Sequence, residues 1–74
     1  MISFKPFWNT LERYKISTYS LINDYHISSS TINRLRHDQA VSTATVNKLC
    51  KILDVDVWSI LEFKSDGQSR VQSE

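Results

Sequence analysis

Among 74 residues there is one cysteine, one glycine and one proline, and each scarcity removes a class of protein. A single thiol, Cys50, builds neither a disulfide framework nor a cysteine-based zinc site, so the fold must rest on apolar burial, and a reducing, intracellular setting is expected. His26 and His37 stand apart without a carboxylate or thiolate partner at ligand spacing, so no metal centre is expected. The lone Gly67 lies past the last apolar block, and no Gly-rich loop or strand-turn-helix elbow frames a nucleophile. No uninterrupted apolar run approaches the length of a membrane span, and the opening MISFKPFWNT lacks the basic-then-apolar layout of a signal peptide. The expectation is therefore a soluble, cytoplasmic, single-domain chain. It sits near the size where one core only just outweighs chain entropy, without room for a cleft of ordinary enzyme size. Neither an enzymatic activity nor a cofactor is expected.

Charge of one sign is also scarce: nine Lys and Arg against eight Asp and Glu give a net +1. The distribution is more informative than the sum. Residues 1–36 hold five basic and two acidic side chains, and residues 37–74 hold four and six. Only the first half is suited to a polyanion.

What is present is helical periodicity, block after block. Phe7, Trp8 and Leu11, followed by Tyr14 or Lys15, make a short first helix with Pro6 in its first turn, where proline is tolerated. Leu21, Ile22 and Tyr25 make a second stripe, Ile32 and Leu35 a third, and Val46, Leu49, Cys50 and Leu53 a fourth. Trp58, Ile60 and Leu61 suggest a brief fifth helix or turn. Ser17, Ser28, Ser42 or Thr43, and Asp56 stand where N-caps are needed, since their oxygens accept from the orphan N–H groups of a first turn. Without glycine, left-handed exits must use His26, Asp38 and Asp54, types that tolerate positive φ. The result is an all-α fold, a compact bundle of four to five short helices. ISF near the start and ILEF near residue 63 are candidates for a two-stranded ribbon, and SDGQSRVQSE, residues 65–74, reads as a flexible polar tail behind a domain spanning 1–64.

The stretch HISSSTINRLRH, residues 26–37, is the most unusual. On a helix turning about 100° per residue, Ile32 and Leu35 define a buried side, while Arg36, Ser29, Asn33, His37, Ser30 and Arg34 fan across the opposite face. That face has short hydroxyls at its N-terminal end, arginines and an asparagine further along, and no acid before Asp38. Short side chains allow close approach, hydroxyls bond phosphate or base edges, Asn pairs bidentately with adenine and Arg with guanine. Such a face suits the major groove of double-stranded DNA, although a polar helix face is often no more than a solvated one.

What precedes and follows the face favours the first reading. STYSLINDYHISSSTINRL resembles the helix-turn-helix of the phage-repressor, Cro/cI-like family: Ser17 opens the first helix, Leu21 and Ile22 follow in its core, HIS at 26–28 forms the turn, and the second helix buries Ile32 and Leu35. VSTATVNKLCKILDVDVWSIL is similar to the segment that closes that fold, so the likeness covers about residues 7–63. Two positions depart from the pattern, His26 where glycine is usual and Ile22 where a small alanine is usual. The resemblance implies a lambda-repressor-like, DNA-binding transcriptional regulator, a repressor working as a homodimer. It implies base-edge contacts from Ser29, Ser30, Asn33 and Arg34, and backbone contacts from Thr18, Ser28, Arg36, His37, Gln39, Ser42 and Thr43. Arg13 and Lys15 are placed to reach flanking phosphates.

Cys50, on the apolar stripe of the fourth helix, reads as a buried, inert thiol. Trp8, Trp58, Phe4 and Phe63 are many large rings for so small a body. They either close the core between the first helix and the last or furnish a dimer surface. If the second use dominates, the alternative function is a protein-interaction module, an antitoxin-like or adaptor partner built on a helix-turn-helix body.

Overall fold

The computed structural model describes residues 1–65; the tail expected over 65–74 lies, apart from Ser65, outside the described residues. Four helices follow one another, α1 (Lys5–Tyr14), α2 (Thr18–Asp24), α3 (Ser29–Arg36) and α4 (Thr43–Leu53), and a 3₁₀ turn over Val57–Ser59 completes the helical part. The short strands β1 (Ile2–Ser3) and β2 (Glu62–Phe63) pair antiparallel, Ile2 opposite Phe63 and Ser3 opposite Glu62, so the expected ribbon is present.

The helix starts follow from local chemistry. Ser17, Ser28 and Ser42 are extended residues whose hydroxyls accept from the N–H of Ser20, Thr31 and Thr45, at 3.0, 3.1 and 3.1 Å. Each cap is worth roughly 0.5–2 kcal/mol against alanine. Asp56 stands at the start of the 3₁₀ turn without a side-chain cap bond. Pro6 occupies the first turn of α1, where its missing N–H costs nothing.

The ends use positive φ without glycine. His26, Asp38 and Asp54 are left-handed, with φ of 60°, 55° and 56°, and so is Lys15, at 58°, which the sequence reading did not anticipate. Lys15 closes α1 in a Schellman arrangement: its N–H reaches the Glu12 carbonyl at 3.2 Å and that of Ile16 reaches Leu11 at 2.9 Å. The N–H of Gln39 on Arg34 and that of Val55 on Cys50 close α3 and α4 the same way, at 2.8 and 3.0 Å. His26 turns the chain between α2 and α3, and the Ile27 N–H then folds back on the Leu21 carbonyl at 3.0 Å. A left-handed residue with a Cβ costs roughly 1–2 kcal/mol, of which glycine would return about 0.4–1 kcal/mol through a freer unfolded chain. His26→Gly should therefore stabilise the fold by up to about 1 kcal/mol, seen as a higher urea midpoint at unchanged slope. An unchanged or lower midpoint would show that the histidine side chain compensates for its backbone.

The core is Phe4, Phe7, Leu11, Leu21, Ile27, Ile32, Leu35, Leu49, Leu53 and Ile60, with Ile22, Val46 and Cys50 packed against it half-buried. The expected stripes of α1, α3 and α4 supply most of it, and the larger Ile22 is accommodated at its edge. Two expectations are corrected, for Tyr25 and Cys50, and of the two uses open to the large rings the core takes only part. Tyr25 is exposed, because it caps α2 at φ −115° and ψ 0°, off the helical track. Trp58 and Phe63 are 71% and 69% exposed, so of the four rings only Phe4 is fully buried and Trp8 partly so. Cys50 is half-buried rather than fully enclosed; burial and then the Asp56 carboxylate push its thiol up from the ordinary value. A thiol held protonated reacts slowly, so iodoacetamide should modify folded protein more slowly than urea-unfolded protein at the same pH, and equal rates would contradict this environment.

Candidate nucleic-acid interface

The turn between α2 and α3 is fixed by three neighbours in sequence. His26 reverses the chain, Ile27 is driven into the core at 4% exposure, and Ser28 caps the next helix. Leu21 on α2 and Ile32 and Leu35 on α3 are buried in the same cluster, so the two helices share an apolar floor and α3 presents its other side outward. Ser29, Ser30, Asn33, Arg34, Arg36 and His37 are all exposed. Ser28, Gln39, Ser42 and Thr43 are exposed as well, and Thr18, at the first turn of α2, is half-buried. The expected positions thus lie on the α3 surface, at the starts of α2 and α4, and in the α3–α4 connection.

Their hydrogen bonds differentiate them. Ser28 accepts from the Thr31 N–H and donates its own proton to Thr31 Oγ1 at 2.9 Å. Its hydroxyl is committed to the cap, and among the described residues Thr31, like Ser29 and Ser30 beside it, keeps a hydroxyl proton without an acceptor. His37 Nδ1 lies 2.9 Å from the Asn33 carbonyl. A carbonyl only accepts, so Nδ1 donates and Nε2 is the ring atom left for another partner. Arg36 departs most from expectation. Its guanidinium carbon lies 4.7 Å from the centre of the Trp8 ring, and Trp8 Nε1 donates to the Leu35 carbonyl at 3.3 Å. Trp8, set edge-on to Phe7 at 4.9 Å, therefore ties α1 to the end of α3. The helical wheel held this signal: Arg36 lies only about 40° from Ile32, at the margin of the buried side.

The face is cationic for two reasons. Arg34 and Arg36 occupy the last turn of α3, where they oppose the negative end of the helix dipole, and its first turn has no acid. Asp38, the nearest following acid, turns away to accept the Phe4 N–H on Oδ1 at 2.8 Å, which fastens the end of α3 to the start of α1. Beside the start of α3 lies a shallow concavity of about 220 Å³ lined by His26, Ile27, Ser28, Thr31, Thr45 and Lys48. Lys48, exposed on α4, adds a cation there. Arg13 and Lys15 are exposed near the end of α1, with Arg13 facing a separate cleft beside Trp58. No helix among the described residues is long and apolar enough to cross a membrane.

Comparison with known proteins agrees with this geometry. Residues 7–66 match the family model of the Cro/C1-type HTH DNA-binding domain. The crystal structure of the transcriptional regulator VanUg, form II, is similar in fold, with a TM-score of 0.76 at 24% sequence identity over 82% of this chain and 81% of that one. No curated protein matches the sequence.

Proposed function

The chain belongs to the Cro/C1-type helix-turn-helix DNA-binding family, and from that premise we propose that it is a sequence-specific transcriptional regulator, a cytoplasmic repressor, with residues 1–64 as its DNA-binding unit. The observation supporting this most directly is the outward side of α3, where hydroxyls, an asparagine and two arginines are exposed without an acid among them. Eight residues at about 1.5 Å each make a helix about 12 Å long, enough to lie across a few base pairs.

In this reading Ser29, Ser30, Asn33 and Arg34 meet base edges. Thr18, His37 through Nε2, Gln39, Ser42 and Thr43 hold the phosphates, together with Arg36 and the first N–H groups of the capped helices. Ser28 supports that set through its cap and through Thr31. A homodimer would place two copies of α3 on half-sites about 34–36 Å apart, so its operator would be palindromic.

Selection of bound duplexes from a random pool tests the proposal. Recovery of a palindrome, with affinity falling steeply as salt rises, is the expected result. No shift of any duplex at low salt, together with a stable protein complex, would instead establish the interaction-module reading, which the exposure of Trp58 and Phe63 favours. Repression is read separately, from a reporter placed behind the recovered sequence: its expression should fall when the protein is present.

A further inference from the structure

On the side of α1 turned away from α3, an open cleft of about 420 Å³ runs between that helix and the segment that closes the fold. Lys5, Asn9 and Arg13, four residues apart and therefore in line along α1, form one wall, and Trp58, Glu62 and Lys64 form the other. The stripe lies roughly 60–140° round the helix from Trp8, the residue that bonds α3. Within the cleft Thr10 donates to the Ser59 carbonyl at 2.8 Å, which holds the Trp58 turn against the helix. Three cations and one acid line it, and the side-chain cations of Lys5, Arg13 and Lys64 form no ion pair with a described residue. Trp58 leaves 71% of its surface in water, and nothing in the core requires that ring.

We infer that this cleft docks an acidic, extended segment of a partner protein, whose carboxylates meet Lys5, Arg13 and Lys64 and whose aromatic or large apolar side chain covers Trp58. Charge complementarity selects the acidic class, and an exposed tryptophan among polar residues is the kind of anchor on which binding energy concentrates. The backbone selects a peptide over a nucleic acid. Met1 and Lys64 exchange both N–H···O=C bonds across the ribbon, so by antiparallel alternation the N–H and C=O of Phe63 point away from β1. Among the described residues no strand lies beside the outer edge of β2, and an extended chain can add there. Glu62 would repel a run of phosphodiesters but is tolerated by a peptide whose side chains alternate. The inference is independent of base reading, since the cleft and the outward side of α3 share no residue, and Arg13, the cleft cation also expected to reach flanking phosphates, is left unchanged in the variants tested.

The test uses the full chain at physiological salt, titrated into a C-terminally blocked peptide of alternating glutamate and serine with a central phenylalanine, whose N-terminal fluorescein reports binding by its anisotropy. Its lysine-for-glutamate counterpart and single-stranded oligothymidylate are the controls. We expect a saturable change with the acidic peptide alone, at least tenfold weaker in Lys5→Glu and absent in Trp58→Ala. Duplex affinity should be unaltered in both variants. Lys5→Glu puts an acid in the first turn of α1, which favours the helix, so weaker binding in that variant does not arise from unfolding. No saturable response, equal affinity in the variants, or equal or tighter binding of oligothymidylate would each overturn the inference.

Discussion

Leu35→Ala should cost about 2–5 kcal/mol of folding stability, a large part of the roughly 4–11 kcal/mol available to a chain of this length. The side chain is fully buried in the cluster that joins α2, α3 and α4. Removing it leaves a cavity where several elements meet, and two of them cannot close in freely. The Asp38 carboxylate pins the end of α3 to the Phe4 N–H, and Trp8 Nε1 holds the Leu35 carbonyl. A site that cannot collapse lies at the upper end of the range. Leu35→Met, which conserves volume, should cost less than about 1.5 kcal/mol. Urea unfolding of both variants measures this, with a shifted midpoint and an unchanged slope expected. A loss below 1 kcal/mol in the alanine variant would mean that the helices repack, and α3 would then be less firmly oriented than its anchors imply.

Much of this architecture was legible because several independent signals agreed. Ser17, Ser28 and Ser42 marked starts and proved to be caps, His26, Asp38 and Asp54 marked exits and proved left-handed, and the stripes between them, Tyr25 apart, proved to be core or packed against it. The exposed side of α3 follows from the same periodicity, since burying Ile32 and Leu35 leaves only one direction for Asn33 and Arg34.

What was not legible depended on geometry outside a regular helix or on long-range contact. Trp58 sits in a three-residue 3₁₀ turn, too short to define a face, so grouping it with Ile60 and Leu61 directed it inward. Ile60 is fully buried while Trp58 is in water. Lys15 as an exit was hidden because lysine is not among the types that favour positive φ; its place is explained by Ile16, which the turn delivers to the apolar cluster. Asp38 looked like an acid that ends the cationic stretch. Its partner Phe4 lies 34 positions away, and no local pattern reports that it serves as a clasp rather than as a surface charge. The same limit hid the pairing of Arg36 with Trp8.

That pairing separates the two arginines, and it sets the second large effect. Arg34→Ala should cost about 1–3 kcal/mol on the selected duplex and relax preference at one base position, with stability unchanged, because Arg34 is exposed and its side chain makes no bond to a described residue. Arg36→Ala should weaken all duplexes alike and reduce the salt slope by about 1. It should also cost about 0.5–1 kcal/mol of stability, because the guanidinium no longer covers the Trp8 ring. Arg36→Lys distinguishes the two losses: the charge that meets phosphate is kept while the planar contact with the indole is weakened, so the salt slope should recover more fully than the unfolding midpoint. Binding of each variant to the selected duplex, its single-position substitutions and a random duplex, at two salt concentrations, measures every one of these quantities. Equal losses on selected and random duplexes for both alanine variants would contradict the division, and would mean that neither guanidinium reads a base.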